Sequence, residues 1–228
     1  MKANTIGGSN DPVMILRVHL LDGSIESFTL SDEAEAGQIW ERVDPVRLFA
    51  QQRLVIAGTR SKSVFASSGV TRIDFVQNCF ACLGFPEGYS DVVELSEAEF
   101  RKHAHLDQPE LMTRRENPTP VGDLLVSFLR LRFTNGKPVF LMVELPVKLP
   151  VESQSFMRFL LSKAGFHMRL RVGGVGVLNL AHLEGYDAYP GVAQIPADSW
   201  LAEPVIGSVQ KQSRLGRAEI TSGDRKAD

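Results

Sequence analysis

The chain has 228 residues, 43% of them hydrophobic, enough for one sizeable core or two small ones, and its composition excludes a disordered protein. Its 25 Lys and Arg nearly cancel 27 Asp and Glu for a net charge of -2, so no global field attracts a polyanion and nucleic acid is not an expected partner. Residues 1–12 lack the apolar run of a secretory signal, and the most apolar stretches, 124–133 and 138–147, are broken by Arg130, Arg132 and Glu144. Both fall short of the roughly 18 apolar residues a membrane span requires. The only cysteines, Cys79 and Cys82, are too few for a disulfide framework and fit a reducing compartment. The expectation is a soluble cytoplasmic protein with no membrane partner.

Residues 13–21 place Leu16, Val18 and Leu20 on one face of a strand and Arg17 and His19 on the other. Asp22-Gly23 tolerates the positive φ of a tight turn, and residues 25–30 alternate on the return. Ser31 and Asp32 then offer N-cap oxygens, Glu33 and Glu35 suit the positive end of a helix dipole, and Ile39, Trp40 and Val43 recur at helical spacing. Pro45 ends that helix. Residues 52–58 and 63–76 flank the turn-like Thr59-Arg60-Ser61-Lys62 as a second hairpin, completing a ββαββ unit over 13–77.

Residues 78–121 are less regular and read as a linker with Pro109, Pro118 and Pro120. Within it, Ser96-Glu97-Ala98-Glu99 has capping-box form and opens a short helix to about Ala104. A second ββαββ unit occupies 122–202. Residues 126–133 set Leu129, Leu131 and Phe133 opposite Arg130 and Arg132, Asn135-Gly136 turns the strand, and 138–147 returns. Residues 152–164 form a helix with Phe156, Phe159 and Leu160 on one face and Gly165 as its left-handed terminator. Residues 166–172 and 175–183 close the unit as a hairpin. Residues 203–228 are polar and lack the apolar side chains to order themselves.

Gly136 follows Gly23 by 113 residues (136 − 23), and the same offset pairs Leu16-Arg17 with Leu129-Arg130 and the turn 59–62 with Val172-Gly173-Gly174-Val175. The fold class that follows is α+β: two similar ββαββ units with mainly antiparallel sheets, each covered by one helix. Their edge strands can join into one sheet or pair with another chain, so a protein partner or a homodimer is expected.

Val172-Gly-Gly-Val-Gly-Val177 resembles a phosphate-cradling loop but leads into a strand instead of a helix, so Gly173-Gly174 reads as a hairpin turn. His103-Ala-His105-Leu-Asp107 resembles, over five residues, the His-x-His-x-Asp metal motif of metallo-β-lactamase-like hydrolases, with Gln108 where that pattern has a further His. With only this partial match, the motif is read as the frayed end of the short helix. Cys79-Phe-Ala-Cys82 is spaced to chelate a soft metal or to cycle as a dithiol, and zinc would take His103 and His105 as its second pair. Buried, the same cysteines are small apolar groups. Arg17, Arg130 and Arg132 with His19 offer a small anion-binding surface, or an ordinary solvated strand face.

No nucleophile elbow, His-Glu-x-x-His or Walker loop occurs. The functional expectation is therefore a non-catalytic protein-interaction or regulatory module. A metal- or thiol-dependent enzyme or sensor built on Cys79 and Cys82 is the alternative.

Overall fold

The computed structural model describes residues 12–42, 45–58, 60–77, 92–108, 124–146, 162–189, 200 and 202. Alternation over β1 (Met14–Leu20) buries Met14, Leu16 and Val18 and turns Arg17 and His19 to the opposite face. Gly23, at φ +83, makes the turn into β2 (Ile25–Leu30), as Gly136 at φ +71 does between β7 (Leu124–Phe133) and β8 (Val139–Pro146). Both hairpins form where the sequence places them.

Asp32 caps α1 (Glu33–Arg42), its carboxylate accepting from the backbone N–H of Ala34 at 2.7 Å. Pro45 does more than end that helix: it opens a second one, α2 (Pro45–Ala50), a position where its missing N–H costs nothing. Ser96 and Glu99 form the expected capping box at the start of α3 (Glu97–His103).

Residues 52–76 and 166–183 depart from the simple hairpins expected there. β3 (Arg53–Ala57) and β4 (Lys62–Ala66) pair as a two-stranded sheet, and a single 3-10 turn, Ser67–Gly69, separates β4 from β5 (Val70–Val76). Leu21 N–H donates to the Gly69 carbonyl at 3.0 Å, which swings the chain so that β5 pairs with β1. Likewise β9 (Gly165–Arg169) and β10 (Val175–Asn179) form the closing hairpin, and the 3-10 turn Leu180–His182 redirects β11 (Leu183–Tyr189) onto β7. Gly165 is a strand residue, with no positive φ. Its hydrogen side chain is required because a Cβ would lie 2.5 Å from the Leu178 carbonyl oxygen. The helix expected over 152–164 lies mostly outside the described residues, and 162–164 form a turn.

Within 78–121 the short helix is preceded by a strand that sequence reading missed, β6 (Val92–Leu95). Among the described residues the main sheet has nine strands in the order β11-β7-β8-β6-β9-β10-β5-β1-β2. All pairings are antiparallel except β6 with β9, which meet in parallel at Val93 and Arg169.

Two apolar clusters lie on opposite faces of this sheet. The first gathers Met14, Leu16, Val18, Ile73, Phe75, Val175 and Val177 under Phe65 of β4 and Leu48 and Phe49 of α2. The second gathers Leu129, Leu131, Phe133, Leu141, Val143, Phe166, Met168 and Leu178. The molecule is thus a mixed α and β protein, mostly sheet. Contacts divide the chain into Met1–Ile195 and Pro196–Asp228, and of the second part only Trp200 and Ala202 are described, both exposed.

Gly174, at φ +94, holds the β9–β10 turn so close to β5 that a Cβ would fall 1.9 Å from the Phe75 carbonyl oxygen. Gly136 also has positive φ, but nothing lies within 4 Å of its Cβ position. Gly174→Ala should therefore cost roughly 3 kcal/mol or more, backbone strain plus overlap, against about 1 kcal/mol for Gly136→Ala. Urea denaturation of the two variants measures the difference, and equal losses would contradict the close approach.

Candidate functional site

The alternation that sends Ile73 and Phe75 into the first cluster sends Arg72 and Asp74 to the other face of β5. There the backbone of Gly176 closes over Asp74, whose residue surface is only 3% exposed. A side chain at Gly176 would crowd it, with Cβ 3.0 Å from Asp74 Oδ1. His19 Nε2 donates to Asp74 Oδ2 at 2.8 Å and Arg72 Nε donates to Oδ1 at 2.5 Å. Arg72 Nη1 continues the chain to Glu94 Oε1 on β6 at 2.6 Å, and Glu94 Oε2 accepts from the backbone N–H of Arg171 at 3.4 Å. Three strands and the β9–β10 turn are joined through one line of charges.

Burial by itself raises the pKa of Asp74, but the hydrogen bond from His19 and the charge and hydrogen bond of Arg72 outweigh it and hold the carboxyl below its usual value. Burial likewise works against the Arg72 charge. The carboxylates of Asp74 and Glu94 reverse that and raise its pKa. A carboxylate on a histidine is half of a nucleophile-activating arrangement, which needs a hydroxyl or thiol on the other ring nitrogen. Among the described residues no hydroxyl or thiol hydrogen-bonds there.

A second, looser cluster occupies β7 and β11. Asp187 accepts from Arg130 Nε at 2.8 Å and from Arg132 Nη1 at 2.7 Å. The anion-binding surface expected from Arg130 and Arg132 is therefore already filled by a carboxylate of the same chain, and His19 is taken by Asp74. Asp74 and Asp187 were missed in the sequence, although the offset of 113 residues that aligns the two glycine turns also aligns them (187 − 74).

Of the remaining candidates, the structure describes the histidines and the glycine loop. Cys79 and Cys82 lie outside the described residues. His103 ends α3 with its ring stacked on Phe128, centroids 5.8 Å apart. His105 sits in the turn beyond at φ 54, and Asp107 is an ion-pair partner of Arg101. Among the described residues no group of three His, Cys, Asp or Glu side chains is arranged to hold a metal ion. The Gly173-Gly174 loop is a hairpin turn, closed by Gly173 N–H donating to the Leu170 carbonyl at 3.1 Å.

The open features are strand edges. Among the described residues, β2 and β11 border the nine-stranded sheet, and β3 and β4 pair with each other alone. Exposed apolar side chains sit on all four: Ile25 on β2, Val55 on β3, Val64 on β4 and Tyr186 on β11. Such edges present unpaired backbone donors and acceptors beside apolar surface. Among the described residues no helix is long and apolar enough to cross a membrane. No family model, curated protein or solved structure matches the chain.

The two aspartates differ in burial, 4% side-chain exposure for Asp74 and 28% for Asp187. Asp74→Ala takes one of two carboxylates from a buried arginine and should cost about 2–3 kcal/mol, whereas Asp187→Ala should cost less than about 1 kcal/mol because its pairs are solvated. Chemical denaturation tests the contrast. A carboxylate with a depressed folded-state pKa adds stability above its unfolded value, near 4, and that stability is lost as pH falls through the lower folded value. Melting between pH 7 and pH 3 should accordingly decline more steeply for the natural chain than for Asp74→Asn.

Proposed function

We propose that the chain is a non-catalytic, cytoplasmic protein-interaction module that binds its partners by strand addition at a sheet edge. The observation that carries this reading is β11, a seven-residue edge strand of the main sheet, with Tyr186 exposed on the face that Ala188 and Leu183 use to contact the second apolar cluster. An edge beside an uncovered apolar residue supplies both the backbone hydrogen bonds and the side-chain pocket that strand addition uses. The closed, fully paired state of Asp74 and Asp187 supports a structural over a catalytic use of the polar clusters.

Internal duplication belongs to the same reading. With an offset of 113 residues, β4, the first 3-10 turn and β5 superimpose in number on β10, the second 3-10 turn and β11 (62 to 175, 67 to 180, 70 to 183). The pairing of β1 with β5 and of β7 with β11 carries the same bulge, between His19 and Leu20 and between Leu183 and Gly185. Leu21 N–H to Gly69 and Thr134 N–H to His182 are equivalent hydrogen bonds, both 3.0 Å.

A photoreactive benzoylphenylalanine at Tyr186 or Ile25 should yield protein adducts in cells, identified by mass spectrometry, while one at exposed Lys102 on α3 should not. Equal labelling at all three positions, or none anywhere, would sink the edge-binding reading.

A further inference from the structure

Within the chain, one edge pairing already joins the two units. β10 lies antiparallel to β5 with Val175 opposite Phe75, Gly176 opposite Asp74, Val177 opposite Ile73 and Leu178 opposite Arg72. Moving each residue by the offset of 113 gives a second pairing, β4 with β11: Lys62 opposite Ala188, Ser63 opposite Asp187, Val64 opposite Tyr186 and Phe65 opposite Gly185. That second pairing is not made in this chain, where among the described residues β4 pairs with β3 alone and β11 with β7 alone.

The burial record shows what the missing pairing leaves undone. Val177 and Ile73, opposite one another, are 0% and 2% exposed, whereas their counterparts Val64 and Tyr186 are 50% and 44% exposed. The faces match as well. On the exposed side of β4 stand Lys62, Val64 and Ala66, and the exposed residues of β11 are Glu184 and Tyr186. On the other face Ser63 comes opposite Asp187, where a hydroxyl can donate to a carboxylate.

We infer that the occupant of the β11 edge is β4 of a second copy of this chain, antiparallel and with Val64 opposite Tyr186. The inference rests on the edge-binding reading above and names its partner. Both edges are present in every copy, so a two-fold axis satisfies them reciprocally: β4 of each chain adds to β11 of the other, and the assembly closes as a dimer with no free edge of this kind.

Sedimentation of the natural chain at micromolar concentration should show a dimer, and Val64→Lys, an exposed position that folding does not need, should weaken association by about 100-fold by burying an unpaired charge at both interfaces. Directly opposed residues lie within disulfide reach. In a Cys79→Ser, Cys82→Ser background, Val64→Cys protein mixed with Tyr186→Cys protein should cross-link under mild oxidation, and neither should do so alone. A monomeric natural chain, a Val64→Lys variant that stays dimeric, or a disulfide that forms only within a chain carrying both cysteines overturns the inference. Benzoylphenylalanine adducts at Tyr186 to other proteins from a monomeric chain would overturn the dimer and leave the edge-binding reading standing. No adducts together with a monomer would remove both.

Discussion

β10 has no solvent face. Its five residues are all buried, Val175 and Val177 in one apolar cluster and Leu178 in the other, so the strand is the wall between two cores. The rest of the sheet is arranged around that requirement. Gly174 lets the turn before β10 approach β5, and Gly176 leaves room for Met168, Leu170 and Asp74, whose atoms would come within 2.7–3.0 Å of a Cβ there. At the far end the Asn179 amide donates to the Val70 carbonyl at 2.8 Å and ties β10 to the start of β5. A strand buried on both sides cannot slip by a residue without exchanging its two apolar sets, which here belong to different cores.

The charge line from His19 to Glu94 works on the same seam. Arg72 reaches across the ends of β10 and β9 to a strand that meets β9 at one residue pair, so the ion pair supports a junction with little backbone pairing of its own. Asp187 on β11 shows the other outcome of the same chemistry. With two half-exposed arginines for partners it fastens neighbouring strands at the surface, where water supplies the alternative to every bond it makes.

What the sequence made legible was local. Asp22-Gly23 and Asn135-Gly136 announced both long hairpins because positive φ is demanded there and few other residues tolerate it. Ser96 and Glu99 announced α3 because their capping bonds span only three residues. The breaks after β4 and β10 were not legible, since Ser67-Ser68-Gly69 and Leu180-Ala181-His182 interrupt apolar strands for one turn each, and what bends the chain there is a hydrogen bond to a distant residue. Val92-Val93-Glu94-Leu95 was missed because four residues carry no measurable period, and its membership in the sheet is decided by β8 and β9. Asp74 was passed over for a related reason: one acidic residue in a strand looks solvated until the strand on its far side is known. Of the candidate site, Arg130, Arg132 and His19 were seen, whereas Arg72 and the carboxylates Asp74, Glu94 and Asp187 were not.

The seam between β5 and β10 also sets an order of events during synthesis. Phe75 finds its partner Val175 only after 100 further residues (175 − 75) have been made, while β1, β2 and β5 can assemble as soon as they leave the ribosome. Until then the growing chain carries Ile73 and Phe75 on an open border, protected on one side by β1 alone. The arrival of β10 therefore ends an interval in which the nascent chain offers a sticky edge, and any chaperone this protein depends on would act within that interval.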